Sequence, residues 1–165
     1  MNKGNLGTDQ LAVINKYSNT VYRLAYSLVK NPHDAEDIHQ EVFVKYISKQ
    51  PFFENAEHEK AWFLRVTINQ CKNLWKSAWK QRVIKSLDYD FEEEEASVGN
   101  EEWIIHVVKQ LPVKYRVVIH LFYYEELSVE EMAQVLKEKP STVRTQLTRA
   151  RKKLRELLKE DMDVS

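Results

Sequence analysis

The chain has 165 residues, of which 43% are hydrophobic and 30% charged, and its 25 basic and 25 acidic residues give a formal net charge of zero. These proportions are typical of a folded globular chain and exclude an intrinsically disordered one. Because Cys71 is the only cysteine, an internal disulfide and a cysteine-rich zinc site are both excluded.

The N-terminal segment MNKGNLGTDQ has no apolar core of signal-peptide length, and no run approaches the ~18 apolar residues that span a bilayer. We therefore expect a cytoplasmic protein with no membrane insertion of its own. The only glycines are Gly4, Gly7 and Gly99, so the stretch 8–98 has no residue that easily takes a positive φ. Tight hairpins are disfavoured there and helices are favoured.

Three helices are predicted in the first half. Thr8 is a suitable N-cap for the first, which should end before Pro32 because proline displaces the preceding residue from the α region. The second helix should begin at Asp34. A loop at residues 51–57 precedes the third helix, which should extend to about Arg82. Three helices of this kind can bury a shared apolar core.

Charged residues are segregated along the chain. Residues 60–87 include seven basic side chains and no acidic ones, whereas residues 88–102 include eight acidic side chains and no Lys or Arg. The acidic stretch has no helical or strand period, which is typical of a flexible linker. The predicted division is a first domain at residues 8–85, an acidic linker at 86–100 and a second domain at 101–160.

Four helices are predicted in the second half. The first two are separated at Pro112 and end near Tyr124. A short helix begins at Ser128, where Glu131 three residues on completes a capping-box pattern. The last helix occupies about residues 140–158 and starts with a proline, whose missing N–H has no partner to lose at a helix start.

Residues 128–151 carry the strongest local signal, since a short helix, a turn and a longer helix with a basic outer face follow one another. This is the helix-turn-helix plan, in which a small residue, here Ala133, lies where the helices cross. The second helix can enter the major groove and present polar side chains to base edges. An amphipathic hairpin with merely solvated basic residues is disfavoured, because turn, capping and charge signals agree.

A set of motif residues accompanies this plan: Leu111-Pro112, Tyr115-Arg116, Leu121, Leu127-Ser128, Glu131-Met132-Ala133, Leu136, Thr142-Val143 and Arg149-Ala150-Arg151. The set resembles region four of bacterial sigma factors, which reads the promoter's minus-thirty-five element. The family often has glycine where this chain has Lys137 and Ser141, and a non-glycine residue in a left-handed turn costs about 1 kcal/mol. The resemblance implies DNA contact by Ser141, Thr142, Arg144, Thr145, Gln146, Thr148, Arg149 and Lys152.

The stretches at residues 34–38 and 40–43, DAEDI and QEVF, are similar to sigma region two. The corresponding helix of that family docks on a coiled coil of the polymerase β′ subunit. Acidic and amide groups can pair with basic residues across such an interface. An ordinary exposed acidic helix face is the alternative. The candidate core-binding residues are Asp34, Asp37, Gln40, Glu41 and Lys45.

The stretch WFLR at residues 62–65, followed by Asn69 and Lys72-Asn73, looks like the family's segment for opening and holding the minus-ten element. Aromatic stacking, worth ~1–3 kcal/mol per base, and a basic groove hold single-stranded DNA. In relatives the preceding loop captures a flipped base. For Trp62 and Phe63, burial in the core is an alternative to stacking. The candidates are Phe53, Glu54, Asn55, Trp62, Arg65, Asn69, Lys72, Asn73 and Lys76.

The chain is thus identified as resembling the extracytoplasmic-function (ECF) branch of the sigma-70 family. The resemblance implies an all-α protein with two small helical domains joined by the acidic linker. It also implies core RNA polymerase (β′ coiled coil and β flap), promoter DNA and an anti-sigma factor as partners, with no catalytic activity, no cofactor and no metal. Two hypotheses for the linker stay open: it follows the positively charged exit path of the polymerase, or it masks DNA binding in the free protein.

Parts of the sequence are also compatible with two other classes of protein. Glu36-x-x-His39 has the spacing of a di-iron half-site, but no second Glu-x-x-His occurs in the chain, and a solvated His39 is the simpler expectation. The stronger rival is a helix-turn-helix regulator that binds duplex DNA as a dimer and ignores the polymerase.

Overall fold

The structure is a computed structural model that describes residues 7–29, 31–84 and 106–163, with side chains described up to residue 77 and again from 106 to 160. Within these ranges the chain is helical and contains no strand, in agreement with the all-α prediction. The helices are α1 (Thr8–Leu28), α2 (Pro32–Lys49), α3 (Ala56–Ile84), α4 (Val113–Ile119), α5 (Val129–Leu136) and α6 (Pro140–Asp163). The acidic linker predicted at 86–100 lies outside the described residues.

The N-termini of the first two helices differ from expectation. Gly7, and not Thr8, is the N-cap of α1, and its backbone N–H donates to Gln10 Oε1 at 3.3 Å. Asn31 caps α2, because its Oδ1 accepts from the backbone N–H of Asp34 at 2.8 Å. Pro32 then takes the first helical position, so α2 starts two residues before Asp34.

The core of the first half is aromatic and centres on Phe63 of α3, whose side chain is fully buried. Its ring stacks on Tyr17 of α1 with centroids 4.5 Å apart. Tyr46 and Phe43 of α2 lie 5.3 and 5.7 Å away. Burial in the core is therefore the correct interpretation of Phe63, and this ring joins the first three helices.

The second half forms a helix-turn-helix on a short helical base. Residues 106–109 are helical, and α4 continues into a π-helical turn at His120–Tyr124. The predicted capping box at Ser128 is confirmed: its Oγ accepts from the Glu131 N–H at 3.1 Å, and Glu131 Oε1 accepts from the Ser128 N–H at 3.0 Å. Ala133 is buried, as the crossing of α5 and α6 requires.

Lys137 ends α5 in the left-handed region, at φ 54° and ψ 44°, a conformation that favours glycine. Lys137→Gly is expected to stabilise the protein by roughly 0.5–1 kcal/mol, because relief of this strain outweighs the added freedom of unfolded glycine. Urea unfolding followed by circular dichroism measures the gain. Lys137→Ala removes the same charge but keeps Cβ, so an equal gain in that variant would contradict the explanation.

The two halves pack against each other along α1 and α3. Their buried apolar residues form one continuous cluster. Lys109 Nζ lies 3.8 Å from the ring centroid of Tyr26, and Arg23 of α1 reaches Glu125 beyond α4. Contacts of α1 side chains with the second half thus accompany the shared apolar cluster.

Candidate nucleic-acid interface

The outer face of α6 is polar and basic, because Val143, Leu147 and Ala150 fix its inner face in the core. The hydroxyls of Thr145 and Thr148 donate to backbone carbonyl oxygens one turn earlier, at 3.1 and 2.9 Å. The side chain of Arg149 is exposed, and Arg144 Nη2 donates to Glu130 Oε1 of α5 at 3.3 Å. The predicted minus-thirty-five residues are all exposed or half-buried, namely Ser141, Thr142, Arg144, Thr145, Gln146, Thr148, Arg149 and Lys152.

Arg151 has a different role, which the sequence did not reveal. Its Nε donates to Tyr123 Oη at 2.9 Å, and its guanidinium carbon lies 4.8 Å from the Phe122 ring centroid. Both aromatic residues belong to the π-helical turn after α4. Arg151 therefore positions α6 on its base and does not point to the outer face.

The loop between α2 and α3 exposes one aromatic ring. Phe52 is 84% exposed, whereas Phe53 packs edge-on against His58 and Trp62 with centroids 5.6 and 5.9 Å apart. Asn55 caps α3, since its Oδ1 accepts from the His58 N–H at 2.8 Å. Phe52 was missed among the candidates, because the sequence shows two adjacent phenylalanines and not which one the fold buries.

A polar stripe runs along α3 from this loop. Asn69, Lys72, Asn73 and Lys76 are exposed, and their spacing of three, one and three residues places them on one helix face. Trp62 begins the stripe and is half-buried, with its ring edge-on to Tyr46 at 6.1 Å.

Arg65 lies on the same stripe but reaches the second half. Its Nη2 and Nε donate to the carbonyl oxygens of Gln134 and Val135 at 3.0 and 3.4 Å. These carbonyls belong to the last turn of α5, where a cation is favourable because the helix dipole is negative there. In this arrangement the half-buried guanidinium of Arg65 is bound to α5, whereas the other polar residues of the stripe are exposed and have no such contact described.

The outer face of α2 carries the candidate core-binding residues. Asp34 is engaged in the helix cap, where its Oδ2 accepts from Asn31 Nδ2 at 2.7 Å. Asp37, Gln40 and Glu41 are exposed, and Lys45 is half-buried.

Two apolar residues of the same face were not predicted. Val44 is 57% exposed and Ile47 38% exposed, and with Asp37 and Gln40 they follow the three- and four-residue spacing of one stripe. Both are apolar residues at helix positions outside the buried stripe, and a search of the sequence for such positions would have identified them. The face is thus mixed polar and apolar, as protein interfaces are.

A buried ionic cluster lies where the two halves meet. The side chain of Glu125 is only 3% exposed, and its carboxylate lies 3.3 Å from Arg23 Nη2, 3.3 Å from His120 Nε2 and 3.6 Å from Lys60 Nζ. Burial raises the pKa of Glu125, but the hydrogen bond and charge of His120 and the charge of Arg23 outweigh it and hold the pKa below its usual value. Burial lowers the pKa of His120.

Acidification is expected to destabilise the protein through His120. Because burial holds its folded pKa below the ordinary value of about 6.5, the unfolded chain binds a proton at a higher pH than the folded chain. The free energy of unfolding should therefore fall as the pH drops below about 6.5. Burial also lowers the pKa of His39, which should add to this loss of stability.

Urea unfolding at about pH 7.5 and about pH 5.5 measures this loss of stability. The matched variant is His120→Gln, which keeps a hydrogen-bonding side chain beside Glu125 but does not titrate. The variant should lose less stability on acidification. An equal loss in the native chain and the variant would contradict the assignment to His120.

His39 is a packing residue, so the expectation that it is solvated was wrong. Its Nε2 lies 3.0 Å from Ser18 Oγ, and its ring is edge-on to Phe43 at 4.9 Å.

Cys71 is fully buried, and burial raises the pKa of its thiol to about 12. Among the described residues, no group of three or more His, Cys, Asp and Glu side chains could hold a metal ion. None of the described helices is long and apolar enough to cross a membrane.

An all-helical chain with a helix-turn-helix whose second helix presents a basic face belongs to the class of DNA-binding transcription proteins. A family model described as sigma-70 region 2 matches residues 13–81, and one described as sigma-70, region 4 matches residues 101–154. RNA polymerase sigma factor SigV of Bacillus subtilis is 33% identical over 151 residues, which cover 90% of this chain and 91% of the relative. The chain therefore belongs to the sigma-70 family, in its ECF branch, whose members direct core RNA polymerase to promoters.

Other relatives agree in sequence and in fold. The ECF sigma factor SigW of Bacillus subtilis is 27% identical, with 90% of this chain and 88% of the relative covered. Sigma factor RpoE, solved with the anti-sigma factor NepR from Bartonella quintana, has a TM-score of 0.74 and 24% identity, with 93% of this chain and 98% of that chain covered. CnrH, solved with the cytosolic domain of CnrY, has a TM-score of 0.70 and 20% identity, with coverage of 96% and 93%. The two solved structures share the fold of this chain.

Proposed function

We propose that this sigma factor holds one promoter at two separate surfaces while it is bound to core RNA polymerase. The outer face of α6 reads the minus-thirty-five element, and the α2–α3 loop with the stripe of α3 holds the melted minus-ten element. The observation that carries the proposal is the presence of both surfaces on one chain, one suited to duplex DNA and one to single strands. A regulator acting on duplex DNA alone has no use for the second surface.

The upstream element is read in the major groove. The helix-turn-helix places the N-terminal half of α6 against base edges, where Arg144 and Arg149 can pair with guanine and the hydroxyl and amide side chains can contact other bases. Lys152, one turn further along, suits a phosphate. Six members of the set are exposed, and Thr142 and Gln146 are half-buried at its margins, which supports this assignment.

The downstream element is held by stacking and charge. Phe52 offers an exposed ring at the tip of the loop, beside Glu54 and Asn55, and Lys72 and Lys76 can follow the backbone of a single strand. The half-buried Trp62 suits a base at the start of the stripe. In this proposal Phe53 does not contact DNA but packs against His58 and Trp62 and so stabilises the loop.

Phe52→Ala is expected to weaken open-complex formation by about 1–3 kcal/mol, which is the contribution of one stacked base. Potassium permanganate footprinting of the melted strand, with core enzyme and a cognate promoter, measures the effect. Tyr124→Ala removes an exposed ring of the other half and serves as a control. Unchanged melting in the Phe52 variant would remove this residue from the proposed site.

The α2 face is the proposed core-binding surface, directed at the β′ coiled coil. Asp37, Gln40 and Glu41 supply polar contacts, while Val44 and Ile47 supply apolar area that water would otherwise cover. Asp34 and Lys45 lie at its margins. A second contact, between the helix-turn-helix half and the β flap, completes the proposed attachment.

An anti-sigma factor is the remaining proposed partner. One related solved structure contains the sigma factor RpoE bound to the anti-sigma factor NepR, and another contains CnrH bound to the cytosolic domain of CnrY. We place the protein in the cytoplasm and assign it no bond chemistry and no cofactor, since every proposed step is binding or strand separation.

Run-off transcription with purified bacterial core enzyme and genomic promoter fragments tests the proposal. The chain should join the core one to one by native mass measurement and produce discrete transcripts. A helix-turn-helix regulator would instead dimerise on palindromic duplex DNA and ignore the polymerase. Failure to bind the core would overturn the proposed function.

A further inference from the structure

Arg144 differs from the other basic residues of the minus-thirty-five set in having an acidic partner. Its Nη2 lies 3.3 Å from Glu130 Oε1, and the contact joins α6 to α5 across 14 positions of the chain. Neither Arg149 nor Lys152 forms an ion pair within the part of the chain that the structure describes. The side chains of Arg144 and Glu130 are 59% and 66% exposed, so the pair lies on the surface of the helix-turn-helix and not in its core.

The backbone of Glu130 is fixed where this contact is made. Glu130 is the second residue of α5 and directly precedes Glu131, which forms the capping box with Ser128. Met132, two residues further on, is fully buried and prevents rotation of this turn. A carboxylate is also favourable in the first turn of a helix, because the helix dipole is positive there. Glu130 therefore reaches Arg144 from a rigid position.

The backbone of Arg144 is equally well fixed. Val143 before it is fully buried, and the hydroxyl of Thr148 donates to the Arg144 carbonyl oxygen at 2.9 Å. A guanidinium carries five N–H donors in a planar fork, and Glu130 accepts from only one of its nitrogens. Glu130 thus restricts the orientation of the fork and leaves other donors of Arg144 available for DNA.

A carboxylate beside Arg144 distinguishes between two kinds of DNA ligand. Phosphate oxygens and the O6 and N7 atoms of guanine can each accept a bidentate pair of hydrogen bonds from arginine. A phosphate is an anion, so Glu130 repels it as it approaches Arg144. Guanine is uncharged and is repelled far less. Because bound DNA displaces water and lowers the local dielectric constant, this difference grows when the complex forms.

We propose that Glu130 is a specificity-determining residue, which directs the guanidinium of Arg144 to a base edge of the minus-thirty-five element and away from phosphates. The inference rests on the proposed function, since it requires α6 to read duplex DNA. In this role Glu130 is a positioning residue that acts through Arg144 and does not itself contact a base. An exposed ion pair contributes little to stability, so variants of Glu130 should fold normally.

The base preference of the complete complex with core RNA polymerase tests this role. The probe is a native promoter fragment, obtained from run-off transcription, in which the upstream element is randomised; bound and unbound fragments are sequenced. The position read by Arg144 is the one whose preference disappears in Arg144→Ala, and a bidentate arginine supplies a preference of about 5- to 150-fold. Glu130→Gln should lower the preference at this position by at least about threefold.

Three comparisons show whether the effect passes through Arg144. The preference at the position read by Arg149, identified in the same way with Arg149→Ala, should be unchanged in Glu130→Gln. The double variant Glu130→Gln/Arg144→Ala should match Arg144→Ala, because Glu130 has no other route to the base. Glu138→Gln removes an equal charge from an exposed residue of the turn between α5 and α6, and it should leave every preference unchanged.

An unchanged preference at the Arg144 position in Glu130→Gln overturns the inference but leaves the proposed function intact. A loss confined to a position that Arg144→Ala does not affect also overturns it, because Glu130 would then read a base directly. So does an equal loss at every position, which indicates a general disturbance of the helix-turn-helix. If the native complex shows no base preference anywhere in the upstream element, the proposed function fails and the inference fails with it.

Discussion

Phe63→Ala is expected to destabilise the first half by about 3–5 kcal/mol, the largest effect of any single substitution considered for this protein. The Phe63 ring is fully buried and contacts the rings of Tyr17, Tyr46 and Phe43. Its removal loses the transfer free energy of the ring and leaves a cavity between three helices. Urea unfolding followed by circular dichroism at 222 nm measures the loss.

Phe52→Ala is the matched control, since it deletes the same ring eleven residues earlier from a side chain that is 84% exposed. Its effect on stability should stay within about 0.5 kcal/mol. A loss below about 1 kcal/mol for Phe63→Ala would mean that the first half does not depend on this aromatic core.

Arg149→Ala is expected to weaken recognition of the minus-thirty-five element by about 1–3 kcal/mol, a loss of about 5- to 150-fold. Arg149 is exposed on the outer face of α6, so the substitution removes a guanidinium without opening the core. Run-off transcription from native promoters and from promoters with an altered upstream element measures both strength and selectivity.

Two controls test whether the effect of Arg149→Ala is specific to recognition of the upstream element. Core binding should be unchanged, because α2 lies in the other half of the chain; loss of core binding would contradict the division of tasks. Arg155→Ala removes an equal exposed charge from α6 six residues later, beyond the residues assigned to the element, and should leave selectivity intact. Equal effects of both substitutions would mean that Arg149 contributes only nonspecific electrostatic attraction to DNA.

The helices could be predicted closely from the sequence, whereas the exposure of particular side chains could not. The helix-turn-helix, its capping box at Ser128 and the break at Pro112 depend on residues within one turn of each other. The end of α1 before Pro32 likewise follows from the proline, whereas α2 starts at Pro32 and not at the predicted Asp34. The predicted boundaries of the linker lie outside the described residues and stay predictions.

Nearby residues of the same type show that local sequence does not determine which side chain is exposed. Phe52 and Phe53 share composition and neighbourhood, yet the fold exposes one and packs the other on Trp62. Arg149 and Arg151 belong to one motif, yet only Arg151 contacts Tyr123 and Phe122. Each outcome depends on a partner that is distant in the chain or on another helix.

The sequence by itself determined the helical class, the two sigma regions and the basic face of the last helix, because hydrophobic period, caps and charge act over a few residues. Only the tertiary structure decided that Glu125 is buried between the halves and that Arg65 contacts α5. Lys60 and Glu125 are 65 residues apart, and Arg65 and Gln134 are 69 apart. Such contacts exist only when separate helices are packed together, and no local pattern encodes which charges will then meet.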